Sequence, residues 1–533
     1  MTARVVVADR LAEGGLNMLA ESPGMEVVNV AGKPREELLR VLAGAQALIV
    51  RSETRVTAEV MNAGPELRVI ARAGIGVDTI DVPAATRRGI AVMNAPGANT
   101  VSAAEHAFAL LLGLVRRIPG AAESMRRGEW DRKKFEGTEL RGKTIGIVGL
   151  GRIGGHVAGI ARAFGMTVVG HDPYLVPERA AELQVRLLPL DQLLRTADVV
   201  TLHVALTEQT RHLINAERLA LMKKTAVLIN TARGELVDEA ALAAAITQKA
   251  IAGAAVDVFS QEPLPADSPL RALERVILTP HLAASTAEAQ DRVSTEICGA
   301  VRDALQGGDL STAINVPGIS GDGLRRAAPL LPLARRLGRL AFALVEGGAA
   351  VTGVEVEYGG KDEAAARPVL IAALEGLLSG LQAGPVSLVN AQVIAEERGI
   401  RLSRKMTTAE PGFETSVAVI VETGQGRTRV AGAPVGTGGG GRVIRIDDYI
   451  VDVAPEGWML IIRNRDVPGV IGRVGTIIGE AGVNVASWHQ ARNGVGGQAL
   501  AAITLDHPID DAVRQRIAAL PDIVQVRLAA FGD

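Results

Sequence analysis

Short apolar runs separated by stretches of helical length dominate the first three hundred positions. Residues 5–8, 25–30, 47–50 and 69–71 are rich in Val, Ile, Leu and Ala, and 14–20 repeats its apolar positions at helical spacing. Such runs, too short for helices and alternating with helical patterns, predict the strands of a parallel α/β sheet. A long helix is predicted over 102–116, with Asn99 and Thr100 ahead of it as N-cap residues. A second series comes next, with strands predicted at 144–148, 167–170, 199–203, 226–230, 254–258 and 276–279. Helical patterns lie between them, the rhythm of a doubly wound sheet. After Asn315 the texture changes. Residues 316–323 carry Pro and Gly and read as a linker, 324–452 mixes helix and strand patterns, and a strand–helix–strand–strand–helix–strand order is predicted from Glu456 onward.

At 533 residues the chain is too long for a single core, and these patterns divide it into four domains. The boundaries are predicted at 1–98 together with 288–315, at 99–287, at 316–452 and at 453–533. The fold class is α/β: a doubly wound, Rossmann-like parallel sheet domain plus a second α/β domain, followed by an α+β intervening domain and a ferredoxin-like module. Hydrophobic residues make up 48% but aromatic residues only 2%, so the cores must be built from Ala, Val, Leu and Ile. The formal net charge of -2 gives no basic field that would point to nucleic acid. The lone Cys298 can form no internal disulfide, reads as a small buried residue, and belongs to no metal-binding cluster, so no metal is expected. The N-terminal residues lack the apolar core of a signal peptide, and no stretch reaches the ~18 apolar residues that a membrane helix needs. A cytoplasmic protein without membrane contact is expected. The tract 436–441 is glycine at five of six positions. It follows no clear strand pattern and lacks a Lys-Ser/Thr ending, so it reads as a turn and not as a phosphate loop.

Gly149-Leu150-Gly151-Arg152-Ile153-Gly154 is a GxGxxG sequence. Alone the pattern is weak. Here it follows the predicted strand 144–148 and opens the helical stretch 155–164, which is the context that gives it a mechanism. Gly149 permits the tight turn, Gly151 lets backbone approach a pyrophosphate, and Gly154 lets helix and strand pack closely. The helix N-terminus offers free amides to the phosphates. Asp172 stands 18 residues after Gly154, where an acid accepts the adenosine ribose hydroxyls and repels the extra phosphate of NADP. NAD is the expected cofactor.

Three further segments fall at predicted C-terminal strand ends: Asn230-Thr231-Ala232-Arg233-Gly234, Asp257-Val258-Phe259-Ser260-Gln261-Glu262-Pro263, and Thr279-Pro280-His281. They offer a guanidinium, a carboxylate and an imidazole at the edge where open α/β sheets bind ligands. Each alone reads equally well as a surface ion pair or a satisfied loop residue; beside a dinucleotide site they form the set that alcohol oxidation by hydride transfer requires. In order, spacing and context the segments resemble the D-isomer-specific 2-hydroxyacid dehydrogenase family, over about residues 3–315. That resemblance implies that Arg233 binds the substrate carboxylate, that His281 is the acid/base, and that Glu262 pairs with it. It further implies a cofactor lining of Gly149, Gly151, Arg152, Ile153, Gly154, Asp172, Val204, Thr231, Ala232, Arg233, Asp257, His281, Leu282, Ala283 and Ala284. Relatives often carry Thr at the position of Val204, which can supply only main-chain groups.

The family acts on several hydroxy acids, and fold does not choose among them. Arg51 and Ser52 end one N-terminal strand, Arg72 ends another, Asn94 opens a turn, and Arg132 and Lys133 sit in a basic run. Equally a solvated charged face, these positions match those that hold a phosphorylated substrate in some family members; Arg51, Arg132 and Lys133 are the phosphate candidates. The tail, with Arg463-Asn464-Arg465-Asp466-Val467-Pro468-Gly469 and Gly482-Val483-Asn484-Val485, resembles an ACT domain, a module that binds amino acids. By that resemblance Asn464, Asp466 and Asn484 bind an L-serine effector. The combination implies NAD-dependent oxidation of D-3-phosphoglycerate to 3-phosphohydroxypyruvate, the first step of L-serine biosynthesis, in a homo-oligomer, a tetramer, under serine feedback. The linker at 316–323 separates the catalytic core from everything after it, so truncation ahead of Glu456 is expected to abolish serine inhibition and leave a working catalytic core. Two alternatives stay open: a hydroxypyruvate or glyoxylate reductase with the same tail, and an NAD(H)-sensing scaffold or corepressor on the same fold.

Overall fold

The computed structural model describes residues 2–316, 321–345, 349–381, 385–435 and 440–531. They form two compact units: residues 11–17 with 95–296, and residues 2–10 and 18–94 with the described residues from 297 on. The divisions fall at 94/95 and 296/297, against predicted boundaries at 98/99 and 287/288.

The unit that contains 95–296 is built on a seven-stranded parallel sheet. Its spatial order is Val276–Leu278, Gly253–Val256, Val227–Asn230, Val199–Leu202, Thr144–Val148, Thr167–His171, Arg186–Leu187. Thr144–Val148 lies inside the sheet, and the chain reverses its direction of travel across the sheet beside it, which makes the C-terminal end of that strand the switch point. The strands are buried on both faces, which is why they read as continuous apolar runs and not as alternating ones. The two-residue strand Arg186–Leu187 is too short for any sequence period to mark. Thr100–Val115 is helical as the pattern predicts, and Asn99 occupies its N-cap position, but it makes no side-chain capping bond, and its Oδ1 is buried with no hydrogen-bond partner among the described residues.

The other unit holds three sheets. The first is parallel, in the order Met25–Asn29, Ala3–Val7, Ala47–Val50, Val69–Arg72, Ala91–Asn94. The second has six strands: Arg401–Thr407 pairs in parallel with Val351–Gly359, and Ser416–Thr423, Gly426–Pro434, Gly441–Ile446 and Tyr449–Val453 continue it antiparallel. The glycine tract is preceded by a strand after all, and Pro434 pairs with Gly441 across the connection. The chain continues after the tract as the strand Gly441–Ile446 and not as a helix; residues 436–439 themselves lie outside the described residues. The third sheet is the C-terminal one, ordered Val485–Arg492, Gln498–Leu505, Trp458–Arg465, Ile523–Ala530. Cys298 is fully buried on the helix Ala287–Gly307. Among the described residues no helix is long and apolar enough to cross a membrane, and no metal-binding cluster occurs.

The C-terminal sheet buries both faces, alternately. Leu460, Ile462, Ala501 and Ile503 pack on the helices Val470–Glu480 and Asp511–Ala518. Met459, Ile461, Leu500, Ala502 and Phe531 instead join a core with Leu333, Leu337, Val451 and Val453 of the preceding domain. A cut ahead of Glu456 would therefore strip one wall from the core of residues 324–453. Leu500→Ala, at a fully buried position in that shared core, is expected to destabilise it by roughly 2–5 kcal/mol. Urea unfolding followed by fluorescence of Trp458 and Trp488 measures this, and a shift of the midpoint too small to resolve would mean that the shared face is not cohesive.

Candidate active site

All the elements of the dinucleotide motif lie at the switch point. Gly149 has φ 90°, a conformation that side chains rarely adopt. A Cβ on Gly154 would lie 2.0 Å from the carbonyl oxygen of Gly149, whereas one on Gly151 would meet nothing within 4 Å. The glycines thus do separate things: Gly154 lets the helix Arg152–Ala163 sit on the strand, and Gly151 leaves room in front of the helix N-terminus. Asp172 accepts hydrogen bonds from the N–H of Leu150 at 2.9 Å and of Tyr174 at 3.0 Å, so the carboxylate is aimed back at the glycine turn. A pyrophosphate against the open Gly151 and a ribose beside Asp172 fit this cradle. Val204 contributes more than main chain: a Cβ on Gly149 would come within 2.8 Å of its Cγ1, so its methyl group packs on the turn.

The neighbouring strand ends carry the remaining candidates. Asn230, fully buried, shapes the turn after Val227–Asn230: its Nδ2 donates to the carbonyl of Arg233 at 2.8 Å and its Oδ1 accepts from Ala232 N–H at 3.1 Å. Thr231 Oγ1 is buried without a hydrogen-bond partner among the described residues. The Nη1 of Arg233 donates to the carbonyl of Ala232 at 2.6 Å. Beyond Val276–Leu278, His281 has φ 55°, and its Nδ1 lies 2.9 Å and 3.1 Å from the two carboxylate oxygens of Glu262. Burial alone would raise the Glu262 carboxyl; hydrogen bonds from His281 and from the N–H of Phe259 outweigh it and hold the pKa below the ordinary value. Glu262 is therefore an anion at neutral pH, and both side chains remain partly exposed to the site.

Asp257 stands apart from these. Its side chain is fully buried, and its two oxygens accept from Thr279 Oγ1 at 2.5 Å, Leu282 N–H at 2.8 Å and Ala283 N–H at 3.0 Å, with His106 Nε2 at 3.1 Å. Its backbone carbonyl accepts from the N–H of His281 at 2.8 Å. Burial would raise this carboxyl too, and the bonds from His106, Thr279 and Leu282 lower it overall. Asp257 thus fastens the whole turn that carries His281. His106, from Thr100–Val115, carries no motif that sequence reasoning could have caught.

In the other unit, Arg72 and Asn94 are register partners, and Val50 pairs with Arg72. Arg51, Arg72 and Asn94 therefore share one end of the parallel sheet, with Ser52 in the turn beyond. The side chain of Asn94 donates to Ile75 O at 2.6 Å. Asp9, which the sequence did not single out, is buried and accepts from the N–H groups of Arg51 and Thr54 and from the Thr54 hydroxyl. Arg132 and Lys133 are exposed in an irregular segment of the first unit, with no ion-pair partner among the described residues.

The three effector candidates are not brought together. Asn464 and Asp466 lie at the end of the C-terminal sheet where Asn464 pairs with Ala499, and Asp466 N–H bonds to Gly497 O. Asn484 is at the opposite end, where the N–H of Asp506 bonds to its carbonyl and its Nδ2 donates to Asp506 at 2.8 Å. The length of the strand Gln498–Leu505 separates the two ends, roughly 20 Å or more. Asn464 is buried, and Asp466 faces Arg492 at 3.4 Å.

Three family profiles match the chain: "D-isomer specific 2-hydroxyacid dehydrogenase, NAD binding domain" over residues 108–283, "D-3-phosphoglycerate dehydrogenase intervening domain" over 326–447, and "ACT domain" over 458–522. The chain is 40% identical over 529 residues to D-3-phosphoglycerate dehydrogenase of Synechocystis sp., covering 99% of this chain and 95% of that protein. It is also similar to the crystal structure of TT0316 protein from Thermus thermophilus, with 40% identity and TM-score 0.54 over 58% of this chain and 99% of that one. D-lactate dehydrogenase from Aquifex aeolicus, solved with NAD and lactic acid, matches with 30% identity and TM-score 0.51 over 57% of this chain and 96% of that one.

The glycine cradle and the buried groups near it can be tested separately. Gly151→Ala should leave the melting temperature unchanged while weakening NAD, whereas Gly154→Ala should cost roughly 1–3 kcal/mol of stability by overpacking. Thermal unfolding and NADH fluorescence titration separate the two, and equal effects on stability would refute the division of labour. His203 sits in the same sheet at 2.9 Å from Thr201 Oγ1, and burial pushes its pKa down to about 4. The folded state then resists the proton that the unfolded chain takes up below its ordinary value. Stability should be intact above about pH 6.5 and fall as pH drops towards 4, by at most roughly 3 kcal/mol. Denaturation at several pH values for wild type and His203→Gln checks this; an identical acid slope in both would remove His203 as the cause.

Proposed function

Because the chain belongs to the D-3-phosphoglycerate dehydrogenase family, within the NAD-dependent D-isomer-specific 2-hydroxyacid dehydrogenases, we propose that it oxidises D-3-phosphoglycerate to 3-phosphohydroxypyruvate, the entry step of L-serine biosynthesis. The observation that carries the reaction chemistry is the His281–Glu262 pair. Bound NAD supplies the ring that accepts hydride from the second carbon. The hydroxyl proton must leave at the same time, and His281 is the group to take it. Its Nδ1 is engaged by anionic Glu262, so that nitrogen carries the hydrogen, and Nε2 is the atom left to receive the substrate proton. Glu262 also stabilises the imidazolium that results. Arg233 offers a planar fork for the substrate carboxylate, which a lysine would not reproduce. Arg51, Arg72 and Asn94, on one sheet end, with Ser52, are the proposed substrate residues of the second domain, and Arg132 and Lys133 add charge for the phosphate.

L-serine is the proposed effector of the ACT domain. The Asp466 carboxylate suits an ammonium, and the turn that ends at Gly469, with φ 87°, aims backbone amides at a carboxylate. An effector that also reaches Asn484 needs a second copy of the domain, because one chain keeps these residues at opposite ends. This supports a homo-oligomer; the tetramer is the state proposed from the sequence.

His281→Ala should lower kcat for NADH formation from D-3-phosphoglycerate by about 100- to 10,000-fold while NAD affinity stays near wild type. A loss below about threefold contradicts the assignment. For regulation, isothermal titration of L-serine into wild type and Asp466→Ala should show binding only to the former. Binding undiminished by the substitution would place the effector elsewhere.

A further inference from the structure

We propose that His106 is a positioning residue for the dehydrogenase reaction, acting through Asp257 on the turn that bears His281. This rests on the reading of His281 as the acid/base. The geometry runs in one line. His106 Nε2 is 3.1 Å from Asp257 Oδ1 and 3.4 Å from Thr279 Oγ1. The same carboxylate receives the N–H groups of Leu282 and Ala283, the two residues that come after His281. His281 itself sits at φ 55°, a conformation uncommon for residues with a side chain, so the turn needs external restraint to persist.

A fully buried carboxylate is costly unless its charge is matched and its lone pairs are filled. Thr279 and two amides fill some of them, but none carries charge. Among the described residues His106 is the side chain on this carboxylate that can. With a hydrogen on Nε2 the ring donates to this carboxylate, and that bond is the restraint. His106 comes from a helix outside the strand-end loops, and the helix Thr100–Val115 is largely buried. A well-anchored element therefore sets the height of the turn. Without that donor Oδ1 keeps the bonds from the turn itself, Thr279 Oγ1 and the Leu282 N–H, but loses its tie to the helix, so carboxylate and turn can shift together and the imidazole drifts from the substrate hydroxyl. Displacement of a reacting group by about 1 Å costs on the order of 100-fold in rate.

The test is steady-state oxidation of D-3-phosphoglycerate by the full-length chain with His106→Leu and His106→Gln. His106→Leu should lower kcat by about tenfold or more, with the KM values for NAD and substrate within about threefold of wild type; His106→Gln, which can still present an N–H, should recover most of the loss. Equal kcat for both variants, or a change confined to KM, overturns the proposal. If thermal unfolding shows that His106→Leu does not fold, His106→Asn takes its place, its amide too short to reach Asp257, and the same contrast with His106→Gln is required. His281→Ala is run in parallel. An inactive His281→Ala beside a fully active His106→Leu overturns this inference alone, whereas an active His281→Ala overturns the acid/base reading on which it rests.

Discussion

A buried carboxylate that must be satisfied organises the catalytic unit. Asp257 ends a parallel strand, lies out of reach of water, and takes its hydrogen bonds from the residues just before and after His281. In a low-dielectric site those bonds are strong, and leaving any of them unmade is expensive. The turn around His281 therefore has one favourable arrangement, and the imidazole inherits it. Glu262 finishes the orientation from the other side of the ring. The dinucleotide cradle depends on the same principle in another form, since the contact between Gly154 and Gly149 O tolerates no added atom.

The parallel sheet explains why these groups meet. Strands that run in one direction end at one edge, so Gly149, Asp172, Arg233, Asp257 and His281 are collected there from positions far apart in the chain. The ends of the five-stranded sheet collect Arg51, Arg72 and Asn94 by the same rule. The C-terminal ACT domain obeys a different rule. Its four-stranded sheet is antiparallel and covered on both faces, by its own helices on one side and by the preceding domain on the other. The module that carries Asp466 thus shares its core with its neighbour.

Much of this was legible in the residues. The apolar runs located the central strands because strands buried on both faces need continuous apolar sequence, and GxGxxG located the cofactor turn because its glycines answer steric demands that no other residue meets. Order and spacing carried Arg233, Glu262 and His281. The residues that escaped had no periodic or motif signal. Asp9 and His106 act through hydrogen bonds to backbone and side chains far away in sequence. The two-residue strand Arg186–Leu187 is too short for a period. The separation of Asn484 from Asp466 arises from strand direction: Trp458–Arg465 and Val485–Arg492 both run antiparallel to Gln498–Leu505, so the end of the first and the start of the second lie at opposite ends, a consequence of pairing that local sequence does not record. Asn99 was legible as the N-cap position, but not that its oxygen would be buried without a capping bond.

The claim that the Asp257 carboxylate sets the catalytic turn is tested most directly by Asp257→Asn, an isosteric change that removes charge and replaces one acceptor by a donor. Hydrogen–deuterium exchange of the amides of Leu282 and Ala283, read alongside NADH formation from D-3-phosphoglycerate, is the measurement. The account predicts faster exchange at both amides together with a fall in kcat of about tenfold or more, in a protein whose other amides exchange as before. Unchanged protection and unchanged kcat would contradict it.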